Sequence, residues 1–273
     1  MSFNFDRRTF LKGAGAVGAA SLLAACGEKS NNTGNGAAAS GAAAPNSTGA
    51  TPLKEFISFE SGNRELESWN MLYTQKAEDA NVVTNLWDGL LSFDRYGKVV
   101  PAIASSWEHN EDATVWTFHI REGVNWVDKD GNVVAPVTAN DWVSSAHYAC
   151  DANNDSDTFY TMSGVIAGAD AYYDWTAYQM ALPDATDGTD KDGNAVKFIT
   201  NEDGEQEILE EVPEASIDDI GVKAVDDYTL EFTLESSRPY FLSMVSFGPY
   251  MPVYGPFLAE CGSKFGTDNS TLL

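Results

Sequence analysis

An apolar segment from Gly13 to Ala25 ends at Cys26, and from Gly27 to Pro52 the chain has no Val, Leu, Ile, Met or aromatic residue. That stretch has nothing to bury and is expected to stay disordered. Patterned sequence begins near Leu53, where L-K-E-F-I-S-F-E predicts a strand closed by Ser61-Gly62-Asn63. Val82, Leu86 and Leu90 stand at helical spacing with Val83 and Trp87 beside them, which predicts one helix packed by its apolar face. Asp94-Arg95-Tyr96-Gly97 turns the chain. Trp116, Phe118 and Ile120 alternate with Val115, Thr117 and His119, and Tyr228, Leu230, Phe232 and Leu234 alternate with Thr229, Glu231, Thr233 and Glu235. Both are patterns of half-exposed strands. Thr138-Ala-Asn-Asp141 has capping-box spacing, and Trp142, Ala146, Ala149 and Cys150 follow on one helical face. A last helix is expected from Pro256, with Phe257, Leu258, Cys261 and Phe265 inward and Gly266 as its stop.

Charge alters the picture in one segment. Between Asp184 and Asp219 thirteen acidic residues face only Lys191 and Lys197, with short apolar pieces such as Val196-Lys197-Phe198-Ile199. The expectation is a solvated surface excursion without a partner, folded as an exposed hairpin. The chain of 273 residues has a formal charge of −25, which argues against nucleic acid as a partner because phosphate binding needs Lys and Arg.

The N-terminus has the parts of an export signal: Arg7, Arg8 and Lys12, then the apolar segment, then small residues before a cleavage point. That segment is too short for a bilayer span, which needs about 20 apolar residues. D-R-R-T-F-L-K resembles a twin-arginine signal, and an ordinary secretory signal reads much the same. Leu23-Ala24-Ala25-Cys26 resembles a bacterial lipobox, in which Cys26 carries the lipid. The organisation expected is a signal peptide at 1–25, a lipid-anchored tether at 26–52 and a folded part at 53–273. The tether would span on the order of 30 Å as a random coil. Loss of residues 1–25 removes Asp6 and three basic residues, so the mature charge falls from −25 to −27.

Candidate chemistry is sparse. "DKDGN" occurs at Asp128 and Asp190, but a calcium loop needs Gly at its sixth position and Glu at its twelfth. Those positions hold Val133 and Ala139, and Ala195 and Asn201, so both copies read as Asp-Gly turns between strands. His109, His119 and His147 are expected in a turn, a strand and a helix, without metal-ligand spacing. The sequence shows no G-x-S-x-G elbow and no phosphate-cradling glycine loop. Cys150 and Cys261, left over if Cys26 is lipidated, are expected as independent buried thiols, although pairing stays open. Forty-one acidic residues leave open a surface glycan hydrolase using paired carboxylates. Tyr172, Tyr173, Trp175 and Tyr178 are expected mainly in the core, with a cleft as the alternative.

"NLWDGLLSFDRYGKVVPAIASSWE" (85–108), "WTFHIREGVNWVDKDGNVVAPVTANDWVSS" (116–145) and "IGVKAVDDYTLEFTLESSRPYF" (220–241) resemble, in order, segments of the extracellular solute-binding proteins of family 5, the peptide-binding receptors of ABC importers. Two departures are the long Asp128 to Ala135 stretch and an acidic insertion at about 180–215. The resemblance implies a mixed α/β fold of the type II periplasmic-binding-protein kind: a first lobe with its extra small domain, the second lobe missing. Chains of the family are about twice this length, so a fragment or truncated gene is the expectation. It further implies no enzyme activity and no cofactor, an oligopeptide or dipeptide ligand, a permease and ATPase as partners, and anchoring through Cys26 to the outer face of the membrane. Nickel, haem or sugar ligands also occur in the family, and three histidines disfavour a metal alone. Carried onto this chain, Glu60, Ser61 and Gly62 and then Glu78, Asp79, Ala80 and Asn81 would line the near wall of the cleft. An adhesion lipoprotein using the acidic insertion is a further alternative.

Overall fold

The computed structural model describes residues 68–74, 76–200, 204–247 and 250–261. The strand expected at Leu53 and the helix stop at Gly266 lie outside them.

The core forms on a four-stranded antiparallel sheet whose two inner strands are those with the cleanest alternation. β3 (Ala104–His109), β4 (Val115–Ile120), β10 (Val222–Asp226) and β11 (Thr229–Thr233) run in the order β10-β11-β4-β3. Leu230 pairs with Phe118 and Phe232 with Trp116, which brings the apolar face of each strand to one side. All four of these side chains are buried, and Phe118 and Phe232 meet edge to face at 5.7 Å. Helix α2 (Ala139–Ala149) covers β10 and β11 with Trp142, Ala146 and Ala149, and Cys150 follows in the same core. Its start is built as the sequence indicates: the Thr138 N–H donates to Asp141 Oδ2 at 2.8 Å.

Before the sheet come helix α1 (Ala77–Val83) and the hairpin β1 (Leu91–Phe93) and β2 (Val99–Pro101), turned at Asp94 to Gly97. The helix expected to continue through Leu86 and Leu90 stops at Val83. Thr84 Oγ1 donates to the Ala80 carbonyl at 2.7 Å and Asn85 Nδ2 to the Asn81 carbonyl at 2.7 Å. The Ala80 carbonyl keeps the Thr84 N–H as well, whereas the Asn81 carbonyl has the Asn85 side chain in place of the Asn85 N–H, which turns to the Val82 carbonyl at 3.1 Å and closes the helix. Leu86 is left 61% exposed, while Leu90 is buried beyond the helix end.

Both DKDGN copies are hairpin turns. Asp128 connects β5 (Asn125–Val127) to β6 (Val133–Pro136), and Asp190 connects β7 (Thr186–Thr189) to β8 (Ala195–Thr200). Each Asp accepts two backbone N–H groups and an Asn side chain, which lowers its pKa. His109 ends β3 instead of occupying a turn, with its ring 4.5 Å from that of Trp116.

The acidic segment is more than a hairpin. A third strand, β9 (Gln206–Leu209), pairs with β8 to give an antiparallel meander β7-β8-β9. It follows helix α3 (Ala169–Ala181), which enters from Gly168. Tyr172 on α3 is buried, and Tyr173 stacks on Phe159 at 3.9 Å and 7°. The chain then passes through β10 and β11 to a short helix α4 (Phe241–Met244) and helix α5 (Gly255–Cys261).

Candidate functional site

Ser68, Asn70, Leu72 and Thr74 are buried while the residues between them are half-buried, so this irregular segment is pinned at every second position. The polar members close it on itself. The Asn70 N–H donates to Ser68 Oγ at 3.0 Å, and the Leu72 N–H donates to Asn70 Oδ1 at 2.9 Å. The Tyr73 and Thr74 N–H groups share the Asn70 carbonyl at 3.1 Å. The body of the protein holds the segment from the other side, because the Leu72 carbonyl accepts from Ser156 Oγ and from Thr158 Oγ1. Leu72 also packs on Tyr148 and Val253, with Phe257, Leu258 and Cys261 of α5 around them. Burial pushes the Tyr148 hydroxyl up to about 12, so it remains protonated in this wall.

Helix α1 grows from this pinned segment and carries four of the seven candidate binding residues. Asn81 is exposed, Glu78 and Ala80 are half-buried, and Asp79 is fully buried. Glu78 and Asp79 occupy the first turn, where negative charge suits the helix dipole. Glu60, Ser61 and Gly62 lie outside the described residues, and so does Cys26.

Opposite the loop, α2 fixes the crossing segment Tyr250–Tyr254. Trp142 Nε1 donates to the Tyr250 carbonyl at 2.9 Å, Ser145 Oγ to the Met251 carbonyl at 2.7 Å, and the Val253 N–H to the Asp141 carbonyl at 3.1 Å. The Asp141 carboxylate also accepts Trp126 Nε1 at 3.0 Å. Its pKa is nevertheless raised, since desolvation outweighs the Thr138 and Trp126 donors. Asn70, Met71, Leu72, Trp87, Met251, Pro252 and Val253 surround a hollow of about 20 Å³. That is room for one water, so the described residues form a wall at this place rather than an enclosed pocket. The sequence named α1 but not the Ser68–Thr74 segment or residues 251–253 that border this hollow; Asn70, an Asx-turn residue among apolar neighbours, was the available signal for that loop.

Among the described residues, no three His, Cys, Asp or Glu side chains gather as metal ligands. Cys150 and Cys261 are free thiols. Cys150 is buried as expected, its thiol pushed up to about 12 by desolvation, whereas Cys261 is half-exposed.

Comparison with known proteins agrees with the resemblance drawn from the sequence. The chain is 32% identical over 209 residues to the oligopeptide-binding protein SarA of Streptococcus gordonii, across 76% of this chain and 26% of that protein. It is 32% identical over 202 residues to the periplasmic oligopeptide-binding protein OppA of Escherichia coli, across 74% of this chain and 29% of that one. The chain thus spans between a quarter and a third of the length of the relatives it matches. Among solved structures, it is similar to a substrate-binding domain of an oligopeptide ABC transporter from Bacillus anthracis, with a TM-score of 0.56 and 25% identity over 78% of this chain and 32% of that one. The fold also matches Listeria monocytogenes OppA bound to peptide, with a TM-score of 0.56 and 24% identity over 76% of this chain and 32% of that one. A model of the twin-arginine translocation signal matches residues 4–24, which marks the start of the chain as an export signal. The model described as "Bacterial extracellular solute-binding proteins, family 5 Middle" matches residues 98–271, and the chain belongs to that family.

Proposed function

We propose that this chain is the first part of a substrate-binding protein that captures oligopeptides outside the membrane and delivers them to an ABC permease and its ATPase. The carrying observation is the 32% identity over 209 residues to proteins named for oligopeptide binding. Those relatives are named for binding rather than catalysis, and the function proposed here is likewise capture without turnover. An extended peptide suits such a receptor because backbone hydrogen bonds supply affinity while roomy pockets tolerate many side chains. The near wall of the cleft would comprise Glu60, Ser61 and Gly62 together with α1. Within α1, Asn81 and the half-buried Glu78 and Ala80 are the groups a ligand can reach, and the buried Asp79 stands behind them.

Export and anchoring complete the reading. Residues 1–25 would be removed, Cys26 would carry the lipid, and residues 26–52 would tether the solute-binding part, 53–273, to the outer face of the membrane. Lipidation is tested by the intact mass of protein extracted from its native membrane, where a diacylglyceryl mass on Cys26 is expected and an unmodified Cys26 refutes it. Capture is tested by tryptophan fluorescence of the complete protein titrated with a diverse set of short neutral peptides. A saturable change with some of them is expected, and silence across the set overturns the proposal.

A further inference from the structure

The acidic meander forms one side of an apolar groove. On α3 one face, with Ala169, Tyr172 and Thr176, is buried against the body, and the Ala152 N–H donates to Thr176 Oγ1 at 3.0 Å. A second face, with Asp174, Ala177, Tyr178 and Ala181 at helical spacing, borders a shallow groove of about 290 Å³. The opposite side comes from Ile199 of β8, Leu209 of β9, and Glu210 and Val212 just beyond it. Small alanines opposite aliphatic side chains leave this volume open, at the foot of the range for ligand pockets.

The groove has an apolar floor and a negative rim. Asp174 and Glu210 are both exposed beside Ala177, Ala181, Ile199, Leu209 and Val212. Across residues 184–219 thirteen acidic residues stand against Lys191 and Lys197, and Lys197 is already bound to Asp187 at 2.8 Å. A field of that sign attracts cations over about 10 Å at 0.1 M salt and repels a second copy of this acidic chain. The half-buried aliphatic floor beneath it adds a demand that charge alone does not meet. We infer that the groove between α3 and the β7-β8-β9 meander is a docking site for a basic protein segment that places aliphatic side chains on Ala177, Ala181, Ile199 and Leu209 and lysine or arginine beside Asp174 and Glu210. The groove is built from residues other than those proposed for the peptide cleft, and the inference does not rest on that reading.

The test uses the complete mature protein and two synthetic probes of equal charge, a lysine–leucine peptide and an oligolysine, titrated calorimetrically at low salt. The lysine–leucine peptide is expected to bind at least tenfold more tightly than oligolysine. Ala177→Arg, which fills the floor, and the paired reversal Asp174→Lys with Glu210→Lys are each expected to weaken it tenfold or more. Ile208→Ser, on the sheet face that carries Phe198 rather than Leu209, is expected to leave binding unchanged. Circular dichroism checks the fold, and the exposed Asp174 and Glu210 reversals keep the test decisive if Ala177→Arg does not fold. Equal binding of oligolysine shows a polyelectrolyte effect and overturns the docking site, as does unchanged binding in the groove variants or an equal loss in Ile208→Ser. Repeating the titration with the short neutral peptides separates the two sites. Groove variants that keep that binding leave two sites, and variants that lose both place the probe in the cleft and overturn the groove.

Discussion

Replacing Gly168 with alanine separates a conformational cost from a steric one. Gly168 precedes α3 with φ at 75°, a region in which a Cβ costs roughly 1–2 kcal/mol. A Cβ built there would also lie 2.5 Å from the Asp219 carbonyl oxygen and 3.0 Å from its carbon. Neither side yields easily. The Ala167 N–H is bonded to the Thr233 carbonyl at 3.0 Å, the Gly221 N–H to the Ala167 carbonyl at 2.8 Å, and the Ile220 side chain is buried. Relieving the contact would therefore break ladder bonds beside β11, adding about 1–3 kcal/mol for groups left unpaired. Gly123 is the control, because its φ of 82° is similar and no atom lies within 4 Å of a built Cβ. Urea unfolding followed by tryptophan fluorescence should give a loss of about 3–4 kcal/mol for Gly168→Ala and about 1 kcal/mol for Gly123→Ala. Equal losses at the two positions would refute the steric part of this reasoning.

Three other outcomes follow from burial. Phe232→Ala removes the ring that meets Phe118, Phe241 and Tyr250 and should cost about 3–5 kcal/mol in the same urea assay. Cys261 should react with a thiol reagent in the native protein, whereas Cys150, buried and with its thiol pushed up to about 12, should react only after denaturant is added. For His147 the pKa is lowered by burial, opposed in part by Asp218, so below the ordinary value of 6.5 the unfolded chain binds more protons than the folded one. The His147 contribution is therefore complete above 6.5 and is lost as pH falls through the lower folded value, and His147→Gln should flatten the melting temperature in that window.

The central sheet was legible in the sequence because its inner strands separate a buried face from an exposed one. In β4 and β11 each buried aromatic or aliphatic residue is followed by one that reaches solvent, and only period two satisfies that arrangement. The same logic misled at α1. Val82, Leu86 and Leu90 fit period 3.6, but hydrophobic spacing carries no information about Asn85, whose side chain replaces its own N–H on the Asn81 carbonyl. The candidate wall was legible only in part. Glu78 to Asn81 could be carried over from the family pattern, whereas Asn70 and Leu72 hold the wall through bonds within an irregular loop and to residues more than eighty positions away.

The third strand of the acidic segment was hidden for a related reason. Gln206–Leu209 is only four residues long, and its apolar residues Ile208 and Leu209 are adjacent rather than alternating. They point to opposite faces, since Leu209 pairs with Lys197 and Ile208 with Phe198. A strand that serves two faces has no hydrophobic period to detect, yet each of its faces has a use. One places Ile208, 46% exposed, beside Phe198, and the other lines the groove against α3 with Leu209. A segment kept only for solubility would gain nothing from aliphatic groups on both faces, because neither is fully buried and each lowers its solvation. Charge on the rim combined with aliphatic floor is the composition of a surface that discriminates among partners, with the acidic field choosing basic segments and the floor choosing among those.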